Sequence, residues 1–312
     1  MNHPLPPTPV LEIGGTHVTA AMVHGPGGGW RVAQDSIVRR GLDAHAPAGG
    51  LLDAIAAAAA GLGAAHSGAW GVALPGPFDY AAGVALYEHV GKFDELKGVD
   101  VGAELARRLG TTARSISFLN DADAFGIGEV ALGAAGGSRR AVCITLGTGV
   151  GSSFLADGVP VKSGSEVPPE GSCYLLTYGG LPLEDTVSRR AIRRAYAAAA
   201  APGENHDAGT PDVREIAGAA RAGDPMAAAV LDHAFGAAGA AAAPYLKRFG
   251  AEVLVVGGSM TGSWDLVEPS LRRGIASVEP GLVRLPLRKA ERSEEAGLVG
   301  AAYWARAAGN AV

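Results

Sequence analysis

The sequence predicts an α/β protein of two halves, each opening with an apolar strand, a glycine turn and a returning strand. Val10–Ile13 is a short apolar run that reaches Gly14-Gly15-Thr16, and Val18–Val23 resumes with apolar and β-branched residues. Ala141–Leu146 repeats the pattern into Gly147-Thr148-Gly149-Val150-Gly151, with Ser152–Ala156 as the returning strand. Helical stretches alternate with further short strands after each hairpin, so the echo reads as a weak internal repeat of two α/β halves.

In the first half a strand is expected near Trp30–Val38, a helix over Leu51–Leu62, and a strand at Trp70–Leu74 that stops at Pro75-Gly76-Pro77. Val101–Leu109 reads as a helix capped by Asp100 and ended by Gly110, and Ser115–Leu119 as a buried strand. In the second half an irregular stretch at Gly164–Gly180 precedes helices through Leu183–Ala200, Asp212–Ala222 and Pro225–Phe249. A strand at Glu252–Val256 ends in Gly257-Gly258, and Ala296–Ala307 closes the chain as a small-residue helix. Alanine tracts such as Ala54–Ala60, Ala197–Ala201 and Ala237–Ala243 lie inside these helical patterns, where alanine has the best propensity. The division expected is a smaller N-terminal lobe, residues 1–119, and a larger one, residues 120–295, with the last helix, 296–312, packing back on the first.

At 312 residues and 48% hydrophobic content the chain can fill two cores. Its net charge of −5 and the lack of any long run of Lys and Arg argue against a nucleic-acid partner. Arg189-Arg190 and Arg193-Arg194 read as the solvated face of a helix. The 2 cysteines, Cys143 and Cys173, are too few for a disulfide framework or a four-cysteine zinc site, and a reducing compartment fits them. Met1–Pro9 lacks the order of a secretory signal, and no stretch is expected to reach the ~18 apolar residues of a membrane helix. The expectation is a cytoplasmic protein with no membrane partner. The 8 histidines show no short ligand spacing, and His89 alone among them stands out as a candidate.

A glycine turn between strands leaves backbone N–H groups free and lets a phosphate come close, and the threonine adds a hydroxyl. A single Gly-Gly pair is most often a turn and nothing more. Three alternating glycines directly after an apolar strand are a stronger sign, because they give up β stability that a plain hairpin would keep. Leu119-Asn120-Asp121 leaves a buried strand and starts a helix. Asp121 there is either a cap or a base that accepts the proton of a hydroxyl as it attacks, with Asn120 holding neighbouring hydroxyls. Phosphoryl transfer asks little covalent chemistry of a protein, so one placed base, phosphate-cradling turns and a metal suffice.

From Val10 to Ala307 the order of these motifs resembles the ROK proteins, bacterial sugar kinases and sugar-responsive repressors built on the actin-like ATPase (ribonuclease H-like) fold. The resemblance makes Glu12 with Gly14, Gly15 and Thr16 the first phosphate loop, and Gly147, Thr148, Gly149 and Gly151 the second. It implies that Gly257 and Gly258 lie beside adenosine, Pro75 and Gly76 beside the sugar, and that Asn120 binds sugar while Asp121 is the catalytic base. ATP and Mg2+ are the implied cofactors, with ATP and sugar in the interlobe cleft and the metal held through Glu12, which stands where many members have Asp.

Relatives usually carry Gly-Glu-x-Gly-His and a cysteine-rich loop that together bind zinc. Here Gly164–Cys173 has no histidine and one cysteine, so no structural zinc is expected and prolines and packing must hold the loop. Glu166 and Glu184 are the best matches to the two sugar-contacting glutamates of the family. Glu88–Asp94, with His89 as a further sugar-contact candidate, replaces the usual asparagine-leucine-proline-glycine-tryptophan segment. The expected reaction is transfer of the γ-phosphoryl group of ATP to a hexose, at the 6-hydroxyl of glucose. An amino hexose of the kanosamine or glucosamine type is the alternative substrate, and a non-catalytic sugar sensor the alternative role. With eleven residues before Glu12, the helix-turn-helix of a repressor is not expected. A homodimer is the assembly considered.

Overall fold

The computed structural model describes residues 5–200 and 209–309. His3, His206, Ala201 and the end of the expected C-terminal helix lie outside the described residues. Contacts divide the chain into two compact units, Met1–Gly133 with Glu294–Val312, and Ala134–Ser293.

The first unit opens with β1 (Thr8–Ile13) and β2 (His17–His24), followed by β3 (Arg31–Val32) and β4 (Val38–Gly41). The single strand expected over Trp30–Val38 is split by a 3-10 turn at Gln34–Ser36. The Ser36 hydroxyl explains the break: it donates to Ala33 O at 2.6 Å and accepts the Met22 N–H at 2.8 Å, a donor that would otherwise seek a strand partner. Next come α1 (Ala48–Ala60), β5 (Ala69–Leu74), the small hairpin of β6 (Phe78–Asp79) and β7 (Val84–Ala85), and α2 (Val101–Leu109). Asp100 caps α2 by accepting the Ala103 N–H at 2.8 Å. Then β8 (Ser115–Asn120) leads straight into α3 (Asp121–Ala131).

In its main sheet β1 pairs antiparallel with β2 and parallel with β5, and β5 pairs parallel with β8. The C-terminal ends of β1, β5 and β8 therefore share one edge, where ligands bind in open α/β sheets.

The second unit repeats the opening hairpin and the strand order of this sheet. Its strands and helices are β9 (Arg140–Leu146), β10 (Val150–Ala156), β11 (Val159–Pro160), the hairpin of β12 (Thr177–Tyr178) and β13 (Leu181–Pro182), α4 (Glu184–Val187), α5 (Arg189–Ala200), α6 (Val213–Arg221), α7 (Pro225–Phe249), β14 (Val253–Gly257), α8 (Trp264–Val278) and β15 (Leu287–Lys289). β9 pairs antiparallel with β10 and parallel with β14, which pairs parallel with β15. The continuous helix expected over Leu183–Ala200 is interrupted at Ser188, whose ψ of 158° leaves the helical range and whose hydroxyl accepts the Ala191 N–H at 3.2 Å.

Helix α7 corrects one expectation. It is 25 residues long with a most apolar stretch of 18 residues at a mean hydropathy of 1.3, long and apolar enough to cross a membrane. Its Leu231, Phe235, Ala242 and Leu246 are buried in the core of the second unit, which makes it a core helix. The sequence reading placed no helix between Gly258 and Ala296, and Pro269 inside α8 hides one. Glycines let α8 lie on α7 almost backbone to backbone, because a Cβ on Gly274 would stand 2.0 Å from Gly236 O.

The last helix, α9 (Ser293–Gly309), belongs to the first unit. A Cβ on Gly128 would stand 1.9 Å from Ala296 O, and one on Gly300 1.8 Å from Ala124 O. This close packing of α3 on α9 carries the first unit through to Gly133, past the Leu119 boundary read from the sequence.

Candidate active site

Strand register brings the first group of candidate residues to one edge. Glu12 on β1 is opposite Ala73 on β5, and Leu74 is opposite Asn120 on β8. The turn Gly14–Thr16, Pro75-Gly76 and Asn120-Asp121 all follow at that edge. Gly14 N–H donates to His17 O at 2.9 Å to close the hairpin. Among the described residues the N–H groups of Gly15 and Thr16 have no acceptor, so two donors stand free at the tip.

Asn120 is the N-cap of α3, its Oδ1 accepting the Ala122 N–H at 3.0 Å, while the Asp121 carboxylate accepts the same N–H at 2.8 Å. Asn120 thus shares the capping of α3 with Asp121, so the helix start does not depend on the Asp121 carboxylate alone. Asp121 is exposed to solvent on one side and closely surrounded by protein on the others. That crowding raises its pKa above the ordinary carboxylate value, against the Lys92 ammonium and the Ala122 N–H.

The Glu12 carboxyl is pushed up to about 7, chiefly by burial and then by the charge of Asp121, with Arg39 opposing and Glu294 adding to it. It lies against α9, where a Cβ on Gly297 would come within 2.8 Å of its Oε1. Among the described residues no three His, Cys, Asp or Glu side chains form a metal cage. Mg2+ commonly takes one or two carboxylates and completes its shell with water and phosphate oxygens. Glu12 fits such a site as a single carboxylate, because a cation beside it would offset the burial and the charge of Asp121 that raise its pKa.

This shift carries a stability prediction. A raised carboxyl pKa means the folded state keeps a proton that the unfolded chain has released, so wild-type stability should fall as pH rises from about 4.5 through about 7. Glu12→Gln removes the penalty. Urea titrations should find Glu12→Gln more stable by about 3 kcal/mol at pH 8 and little changed below pH ~4.5. A difference that does not grow with pH would refute the shift.

In the second unit the corresponding edge holds the turn Gly147–Val150 and the end of β14, with Gly257 opposite Thr145. Gly258 requires glycine twice over, since its φ is 86° and a Cβ would stand 2.3 Å from Leu146 O. Gly147 N–H bonds to Gly149 O at 3.1 Å, and Glu184 Oε2 accepts the Val150 N–H at 3.5 Å. Among the described residues the N–H groups of Thr148 and Gly149 are without an acceptor, a free pair matching that of Gly15 and Thr16. Gly149 has an ordinary φ, and its lack of a side chain makes room for Glu184, whose Oε2 would be 3.0 Å from a Cβ. Gly151 is within the β10 ladder, opposite Thr145.

The structure separates the two glutamates that the sequence pairs. Glu184 sits under the second glycine turn. Glu166 instead forms an ion pair with Arg140 at 2.8 Å, and Arg140 begins β9, at the opposite end from Gly147. Six residues of strand put that pair ~20 Å from the turn, so Glu166 is not brought to the candidate site. His89 is exposed with a left-handed φ of 56°, and among the described residues no hydrogen bond joins it to Asn120 or Asp121.

Three other residues escaped the sequence reading. The Tyr80 hydroxyl donates to Leu74 O at 3.3 Å and accepts from Asn120 Nδ2 at 3.1 Å, orienting the amide. Burial raises the pKa of Tyr174, and the charges of Glu170, which has a left-handed φ of 56°, and of Glu184 add to it. Lys92 is the cation that most lowers the pKa of Asp121. The sequence flags only one of them, through the pattern Pro-Pro-Glu-Gly around Glu170, where a glycine follows a strained position.

The stretch at Gly164–Gly180 is held by its own packing. The Ser152 hydroxyl donates to Gly171 O at 2.9 Å and accepts the Cys173 N–H at 2.8 Å, and Val167, Cys173 and Leu176 enter the core. Burial pushes the Cys173 thiol up to about 11, unlike a metal-bound thiolate. Elemental analysis of untagged protein should therefore find well under one zinc per chain, and a chelator should leave the melting temperature unchanged. A tightly held stoichiometric zinc would contradict this.

The ROK family model matches residues 9–308. Glucokinase of Thermotoga maritima is 29% identical over 249 residues, 74% of this chain and 77% of that one. Glucokinase of Streptomyces coelicolor is 31% identical over 208 residues, 60% of this chain and 66% of that one. Among solved structures, the ROK hexokinase of Thermus thermophilus superposes with a TM-score of 0.76 at 26% identity, covering 98% of this chain and 100% of that one. A ROK family glucokinase of Streptomyces griseus, solved with glucose and AMPPNP, gives 0.74 at 26% identity, covering 96% and 99%. The fold and these relatives define a sugar kinase, a phosphotransferase with the actin-like ATPase fold. The chain belongs to the ROK family.

Proposed function

We propose that this protein transfers the γ-phosphoryl group of ATP to the 6-hydroxyl of a hexose, with glucose as the first substrate, in the cytoplasm. The observation that carries the reading is the Asn120-Asp121 pair, which shares the capping of α3, on the same sheet edge as the first glycine turn. The free N–H pairs at Gly15-Thr16 and Thr148-Gly149 bind phosphate oxygens, Gly257 and Gly258 lie at the adenosine side, and Pro75, Gly76 and Asn120 hold the sugar. Asp121 accepts the hydroxyl proton as the oxygen bonds to the γ-phosphorus and the bond to the β,γ-bridging oxygen breaks, releasing ADP. Glu12 would hold Mg2+, which would supply charge neutralisation at the phosphates. A coupled assay for ADP release over a panel of hexoses tests the reading, and release that no sugar stimulates would refute it, leaving a sugar sensor.

A second reading, an amino hexose as substrate, is favoured by the two carboxylates, Glu170 and Glu184, near Tyr174. A protonated amine would gain a charge-assisted hydrogen bond that a hydroxyl cannot fully match. Glu184→Gln or Glu170→Gln should then shift the ratio of kcat/KM for glucosamine and glucose by about tenfold or more, whereas Glu166→Gln should not. An unchanged ratio in both variants would remove the carboxylates from specificity.

A further inference from the structure

Lys92 lies in the loop between β7 and α2, where the chain departs from the segment usual in its relatives. The residues around it are fixed. Phe93 is buried with a φ of 61°, its N–H donates to Ala44 O at 2.8 Å, and its ring is 5.4 Å from that of Tyr87. On the other side the N–H groups of Val90 and Gly91 each donate to the Asp94 carboxylate at 3.1 Å. Lys92 itself is partly buried, and its Cδ lies 3.8 Å from where a Cβ on Gly15 would stand. Its stem therefore passes over the tip of the first glycine turn. Among the described residues it makes no ion pair, whereas Lys97 in the same loop pairs with Glu88 and Lys247 pairs with Glu279.

A cation that makes no close ion pair, lying over free N–H donors and acting on the charge of a candidate base, is suited to a ligand with anionic oxygens. We propose that Lys92 is a further catalytic residue, whose ammonium binds the phosphoryl oxygens while the group passes from ATP to the sugar hydroxyl. This rests on the kinase reading above. During transfer the attacking oxygen forms its bond to phosphorus, the bridging oxygen leaves with ADP, and the three peripheral oxygens keep their negative charge, which the ammonium offsets throughout. The groups facing Asp121 are Glu12, Asp123, Tyr87, Lys92 and the Ala122 N–H, and Lys92 is the cation among them that helps to keep Asp121 ionised until it takes the proton.

Steady-state kinetics on the full chain, with wild type, K92M, K92R and K97M, test the proposal. The expected result is a loss of ~10²–10³-fold in kcat for K92M, with KM for sugar and for ATP within about threefold of wild type. K92R should regain a tenfold or larger part, the acid limb of kcat/KM should move to higher pH in K92M, and K97M should match wild type. If K92M melts early, K92R and K92Q are read in its place. A wild type that phosphorylates no sugar removes the kinase reading and this role with it. If wild type is active, a K92M that keeps kcat within about threefold, or loses efficiency through KM alone, overturns the role of Lys92 and leaves the kinase reading intact.

Discussion

Asp121→Asn is expected to lower kcat by ~10²–10⁴-fold while sugar binding survives. The amide keeps the shape and can still accept the Ala122 N–H that the carboxylate accepts at 2.8 Å, so α3 should start at the same place. Asn120 holds the cap independently through its own bond to that N–H at 3.0 Å. What disappears is the proton acceptor. Binding measured calorimetrically and turnover measured as ADP release separate the two effects. Near-wild-type turnover in Asp121→Asn would end its role as a base, whatever happened to binding.

The largest loss of stability is expected at Gly300 and Gly128. Cβ atoms there would meet the backbone of the facing helix at 1.8 Å and 1.9 Å, well inside any real contact, so α3 and α9 would have to separate. Gly300→Val and Gly128→Val should each cost at least about 3 kcal/mol. Gly218 is the useful contrast: it lies inside α6 with nothing within 4 Å of its would-be Cβ. Gly218→Ala should stabilise the protein by about 0.5–1 kcal/mol, since alanine is the better helix former. Denaturation midpoints of the three variants check both signs, and a Gly300→Val protein that melts with wild type would disprove the close packing of the helices. Because Asp121 begins α3, a separated pair of helices would also displace the candidate base.

Periodicity and punctuation made most elements readable in advance. The two strand–glycine turn–strand hairpins, the Asp100 cap of α2 and the span Pro225–Phe249 all follow from local signals, and all are formed. Where the reading failed, a local rule met a tertiary partner. Pro269 argues against a helix, but α8 forms because Gly274 lets it pack on α7. Ser188 looks like an ordinary helical residue until its hydroxyl takes the Ala191 N–H and divides α4 from α5.

By itself the sequence determined the two α/β halves, their glycine turns and the residue types at the end of each central strand, because alternation, β-branching and glycine act over a few neighbours. The tertiary structure decided which of those residues meet. Parallel pairing of β1, β5 and β8 sets Glu12, Pro75 and Asn120-Asp121 on one edge, and the antiparallel return of β10 keeps Gly147–Val150 beside Gly257 in the other unit. It also sent Glu166 to Arg140, and laid Lys92 over Gly15 from a loop far along the chain. Strand register and loop closure join residues distant in sequence, and no local pattern encodes which distant partner a charged side chain will find.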